Sequence, residues 1–183
     1  FAGNYLTYYK TIKQLNMEEQ SYGNIMLHAP YNKTPFEVPG KIEAAHFDMG
    51  GHPISCNIID KGGAKVFRKN NELSTDITTD GESSGYDIIL TCSNNDPRLN
   101  ISEYAEYTIN AKYSGLYDID VRLWRNPKDK AGRIRMIMKD KAEIRDVDIP
   151  NKGNSWQTIT IPMVMLEKGC QIIRLGLSEC TLA

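Results

Sequence analysis

Between Ile101 and Trp124 apolar and polar residues alternate twice over, ISEYAEYTINAKYSGLYDIDVRLW, on either side of Tyr113-Ser114-Gly115-Leu116. Tyr107, Ile109 and Ala111 share one parity against Thr108, Asn110 and Lys112. Tyr117, Ile119, Val121 and Leu123 share another against Asp118, Asp120 and Arg122. Successive side chains of a strand point to opposite faces, so each segment reads as a strand with one buried and one wet side. The short glycine-containing link predicts that the two pair as an antiparallel hairpin. A hairpin alone is marginal in water, so a second sheet must cover its apolar face.

The same period recurs along the chain. RIRMIMK places Ile134, Met136 and Met138 on one face, and Val147 and Ile149 end a further strand. In WQTITIPMVML the set Ile159, Ile161, Met163 and Met165 alternates, while Pro162 marks an edge strand or a bulge. QIIRLGL closes the pattern with Ile173, Leu175 and Leu177. KIEAAHF, Ala64–Arg68 and Tyr86–Thr91 are further strand candidates; residues 69–84, CSNNDPRLN, NPKDKAG and NKGNS read as loops. About nine short strands at this spacing predict an all-β fold, a two-sheet antiparallel β-sandwich.

Residues 1–35 differ. Tyr5, Tyr8, Tyr9, Ile12 and Leu15 recur at helical spacing opposite Lys10, Lys13 and Gln14, and Gly23 is a plausible stop. Pro30, Pro35 and Pro39 then punctuate an extended connection. The expected organisation is a helix (residues 5–20) and linker over residues 1–35, the tail of a preceding domain or else a helix packing its tyrosines against the sandwich, followed by the sandwich over residues 36–183.

With 183 residues, 40% of them apolar, the chain suits one domain and an appendage. A formal net charge of −1 with interspersed signs points away from nucleic acid and from an anionic membrane surface. No apolar run is long enough to span a bilayer. A start at Phe1, without an initiator Met, suggests a processed or excised piece. Cys56, Cys92, Cys170 and Cys180 show no C-x-x-C spacing, which argues against zinc and thioredoxin-type chemistry. Cys170 and Cys180 flank a strand and could approach each other. Sequence does not choose among the three pairings or between pairing and buried thiols.

Little else in the sequence signals catalysis. His46, Asp48 and His52 form a loose cluster of possible metal ligands, a grouping that arises easily in loops. No phosphate loop, G-x-S-x-G elbow or recognisable Cys–His pair is present. Glu43, Asp48, Glu103, Glu106, Asp118 and Asp120 read mostly as wet strand faces, although a glycosidase would need two carboxylates across a cleft. Asn32-Lys33-Thr34 and Asn100-Ile101-Ser102 fit the glycosylation acceptor pattern of a eukaryotic secreted protein.

PGKIEAAHFDMGG (39–51), SEYAEYTINAKYSGLYDIDVRL (102–123) and NSWQTITIPMVMLEKGCQIIRLGL (154–177), in that order, resemble the family 6 carbohydrate-binding modules. Those motifs are an IEAE-type strand, a D-x-G-G loop, a strand with a G-x-Y turn, and a W-Q-T strand leading through V-x-L-x-x-G to a long last strand. The resemblance covers residues 36–183. It implies a jelly-roll sandwich, non-catalytic, attached to a secreted glycoside hydrolase and binding a polysaccharide. It implies Trp156 as an aromatic platform for a sugar ring, with a tryptophan packed at a strand start as the alternative. Glu43 matches the first Glu of IEAE, as a hydrogen-bonding or structural residue. Tyr86 stands just before the position of the family's second stacking aromatic.

This chain departs from the pattern at Ala45, where the second Glu would be, at Ile88–Leu90, which lack an aromatic, and at Thr181–Ala183, which lack the late Asn-x-Asp. The structural calcium that family members hold is therefore not expected, and no cofactor is. Trp124, on the polar parity of its strand, is a further candidate for a binding surface. The expected partners are a polysaccharide and a neighbouring catalytic domain, and the expected location is secreted, periplasmic or cell-surface. A structural spacer without a ligand, or a catalytic domain with carboxylates lining a cleft, are the rival readings.

Overall fold

The computed structural model of the chain describes residues 27–59, 67, 73–77, 85–91, 100–125, 132–139, 141, 143–153 and 155–178. The amphipathic segment expected at residues 5–20, Cys92 and Cys180 lie outside the described residues, as does most of the candidate strand at Ala64–Arg68. Ten strands are described: β1 (Phe36–Val38), β2 (Cys56–Asn57), β3 (Ser74–Ile77), β4 (Tyr86–Ile89), β5 (Tyr104–Ala111), β6 (Gly115–Trp124), β7 (Arg133–Met138), β8 (Glu143–Asp148), β9 (Trp156–Leu166) and β10 (Gly169–Ser178). The fold is an all-β sandwich. A six-stranded sheet in the order β1-β5-β10-β7-β8, with β2 also on β5, is covered on one face by the pairs β6–β9 and β3–β4.

Four expectations need correction. First, β5 and β6 do not form a hairpin: β5 pairs with β10, β1 and β2, whereas β6 pairs with β9 in the other layer. The alternation holds in both strands, but their two apolar faces look at each other across the core. Lys112–Ser114, at roughly 3.3 Å per residue, span the ~10 Å between stacked sheets. Second, the sheets are not wholly antiparallel, because β1 runs parallel to β5. Third, Ala44–His46 is a single 3-10 turn rather than part of a strand, and β3 falls inside the expected loop at 69–84.

The fourth correction is in β9. Tyr117 pairs with Val164 and Ile119 with Ile161, so Pro162 and Met163 together face Asp118. This is a bulge, as Pro162 suggested. Met163 takes a left-handed backbone (φ 53°), and its N–H donates to Asp118 Oδ1 at 2.9 Å. The extra residue reverses parity beyond it. Val164 and Leu166 turn inward and are buried, while Met163 and Met165 turn to solvent.

The main core lies between the layers, with Ile109, Met136, Met138, Ile161, Val164 and Leu166 almost wholly buried. Each such side chain contributes about 1.5–3 kcal/mol. A second cluster joins Phe47, Cys56, Ile58, Leu73, Ala105 and Tyr107 beneath β3–β4, and the Tyr107 hydroxyl donates to the Ala44 carbonyl at 2.8 Å. Cys56 is a buried thiol and Cys170 an exposed one.

Candidate functional site

β6 alternates without a break, Leu116, Asp118, Asp120, Arg122 and Trp124 outward, and Tyr117, Ile119, Val121 and Leu123 inward. Its partner β9 presents Trp156, Thr158 and Thr160 outward, then Met163 and Met165 after the bulge. Trp124 lies directly opposite Trp156, so both indoles project from the same outer face of the pair. Trp124 is 45% exposed and Trp156 half-buried. Their neighbours fix this end of the ribbon: Arg125 Nη1 donates to the Ile149 carbonyl at 3.1 Å and Gln157 Nε2 to the Pro150 carbonyl at 2.9 Å.

Beyond the tryptophans the face turns polar, then apolar. Arg122 is opposite Thr158, and Asp120 is opposite Thr160, whose hydroxyl donates to it at 2.7 Å. At the far end Leu116 is opposite Met165, with Met163 beside them; Leu116 and Met163 are each 63% exposed. The ribbon therefore carries an aromatic end, a hydrogen-bonding middle and an aliphatic end on one solvent face.

Glu43 and Tyr86 stand elsewhere. Five rings form a row: Phe36 against Tyr31, Tyr31 against His46 at 4.3 Å between centroids, His46 tilted against Phe67, and Phe67 against Tyr86 at 4.5 Å. Phe67 is held to β3 by Thr75, whose hydroxyl donates to the Phe67 carbonyl and accepts from its N–H. Glu43 precedes the turn, with its carboxylate 3.6 Å from His46 Nε2 and against Gly85. Rings stacked face to face have those faces occupied. Tyr86 thus has one face covered by Phe67, whereas close to half of the Trp124 surface is exposed on the outer side of the ribbon.

Sequence reasoning missed the strongest electrostatic feature. Asp48, Glu103 and Glu106 are buried, not wet. His28 and Asp48 reach Glu106 and Thr108 on the outer face of β5, and their two segments are bridged to each other through Ala29 and Met49. Glu106 accepts from Arg174 Nε at 3.0 Å, from Arg174 Nη2 and from Lys139 Nζ at 3.0 Å, and lies 3.0 Å from His28 Nε2. Asp48 accepts from the Thr108 N–H and hydroxyl and lies 3.1 Å from the same His28 nitrogen. Hydrogen bonding to Asp48, then to Glu106, outweighs burial and raises His28 to about 9. Burial pushes Glu106 up, but His28, Arg174 and Lys139 together hold it down at about 2. Glu103 accepts from the Ile59 and Thr91 N–H groups and staples β2 to the end of β4. No local signal marks these carboxylates as buried: β5 is an inner strand of its sheet, where both faces can be covered, and that position is set by long-range pairing.

Of the loose metal cluster, His46 is in the ring row, Asp48 faces Thr108 and His28, and His52 Nδ1 accepts from the Ile58 N–H. Among the described residues no group of three or more His, Cys, Asp or Glu side chains is arranged to hold a metal ion. Likewise, no helix among them is long and apolar enough to cross a membrane.

No protein-family model and no curated protein matches the chain. Among solved structures, a Podospora anserina GH26-CBM35 β-(1,4)-mannanase aligns with 61% of this chain at 16% identity and a TM-score of 0.37. The chain spans 26% of the length of that mannanase, and at this level of likeness no property is carried over from it.

Proposed function

We propose that this chain is a non-catalytic carbohydrate-binding β-sandwich that holds an attached glycoside hydrolase on its polysaccharide outside the cytoplasm. The observation that carries the reading is the Trp124–Trp156 pair on the open outer face of β6–β9. An indole face matches the C–H face of a pyranose, while hydroxyls can bond to Arg122, Thr158 and Asp120 beside it. Glu43 and Tyr86, in the ring row, form a secondary candidate. The buried carboxylates Asp48 and Glu106 are committed to cationic and hydroxyl partners, which speaks against an acid–base pair there.

An open face with two indoles buries little of its ligand. A Kd of about 1 μM to 1 mM, or roughly −8 to −4 kcal/mol, is expected, the weaker half above all. Tethering to an insoluble polymer compensates by raising effective concentration. Trp124→Ala and Trp156→Ala should each abolish retardation in a polysaccharide affinity gel without changing the far-ultraviolet dichroism. Retardation equal to the parent's would refute this site. The rival reading, a structural spacer, is favoured by the exposed Leu116, Met163 and Met165, and retardation of the parent on no polysaccharide would make it the better one.

A further inference from the structure

Resting on that reading, we infer that the whole outer face of β6–β9, not the tryptophan pair alone, is the ligand track, and that it takes a neutral, unbranched, extended glycan lying along the strands. Three observations lead there. From Trp124 to Leu116 the ribbon offers about 26 Å at roughly 3.3 Å per residue, room for about five pyranose rings end to end. The face changes along that length from indoles through Arg122, Thr158, Asp120 and Thr160 to Leu116, Met163 and Met165. An extended glycan has the matching pattern, with C–H patches at its ring faces and hydroxyls along its edges.

Two of the three residues of the aliphatic end, Met163 and Met165, face outward only because of the bulge. Without the extra residue at Pro162–Met163, Met163 and Met165 would share the inward parity of Ile159 and Ile161. The bulge therefore lays apolar surface on the same side as the indoles. Charge selects among glycans. The face carries Asp118 and Asp120 against Arg122, so it has no cationic excess to draw a uronic-acid polymer. Two-stranded ribbons also twist more than larger sheets, so the track is twisted and suits a single soluble chain better than a flat crystalline surface.

The test is calorimetric titration of the full chain with neutral β-1,4-linked glucose, mannose and xylose oligosaccharides, from the disaccharide to the hexasaccharide. Polygalacturonate and crystalline cellulose serve as contrasting polymers. Affinity for the preferred sugar should keep rising up to the pentasaccharide. Leu116→Thr/Met165→Thr keeps strand-forming residues on the surface; it should lower hexasaccharide affinity about tenfold, the effect of roughly 1.4 kcal/mol, and leave the disaccharide unchanged. Trp124→Ala should weaken all lengths. Equal affinity for disaccharide and hexasaccharide, or an indifferent double variant, overturns the track while leaving the indole platform standing. Preference for polygalacturonate or crystalline cellulose overturns the choice of ligand. Indifference to Trp124→Ala at every length overturns the platform itself.

Discussion

Glu106→Gln is the most demanding test of the buried charge cluster. The carboxylate is wholly buried and meets donors on both oxygens, Arg174 on one and Lys139 and His28 on the other. An amide keeps the shape but turns one oxygen into an N–H donor, which then faces another donor. Removing one partner of a buried ion pair costs about 3–5 kcal/mol. Lys139 is 39% exposed and can turn to water, while Arg174 is 12% exposed and held over the Tyr104 ring at 4.1 Å. Discounting for the lysine leaves about 2–3 kcal/mol. For a domain of this size each kcal/mol lowers Tm by about 2–4 °C, so a fall of roughly 5–10 °C is expected. Urea unfolding followed by tryptophan fluorescence should show a lower midpoint at an unchanged slope. The parent's advantage should also vanish in acid. Because Glu106 is depressed to about 2, its contribution is complete above the ordinary carboxylate value and is lost as pH falls towards 2. A variant within 0.5 kcal/mol of the parent, a bound set by ordinary surface changes of about that size, would show that the cluster is not stabilising.

His28→Gln tests the other side of the cluster. With His28 raised to about 9, its contribution is complete below pH 6.5 and lost as pH climbs through 9, so the parent's Tm should decline over that window and the variant's should not. Gly176→Ala should lower stability by about 1–3 kcal/mol or more, because a Cβ there would sit 2.6 Å from the Tyr104 Cβ and 2.8 Å from Ile101 Cδ1; an unshifted thermal midpoint would contradict that packing. Asp118→Ala removes the acceptor of the Met163 N–H at the exposed bulge and should cost about 0.5 kcal/mol, the low end for a hydrogen bond, read as a lower urea midpoint.

The strands were legible because a sandwich writes its faces into period two, and the alternation of Tyr117, Ile119, Val121 and Leu123 reappears residue by residue in β6. Pairing was not. The same alternation fits a hairpin and a crossing between layers, and only tertiary packing separates them. In β9 the proline announced the bulge, yet its effect on parity at Met163 and Met165 depends on where β6 supplies Asp118. Trp124 was placed correctly on the outer face from parity alone, but its position opposite Trp156 is a long-range register that local pattern does not encode. Glu106 looked like any wet-face carboxylate, since nothing nearby in sequence shows that His28, Lys139 and Arg174 converge on it.

The position of β10 has a mechanical consequence. It is hydrogen-bonded to β5 over residues 169–176 on one side and to β7 over residues 173–178 on the other. Tension applied through the residues after Ser178 runs along this inner strand, so its ladders on both sides are loaded in shear together instead of being peeled open one bond at a time. At the other end, tension arriving through Leu27 meets His28, clamped between Asp48 and Glu106. Load entering the described sandwich at either end is thus met by ladders in shear at β10 and by the buried charge cluster at His28.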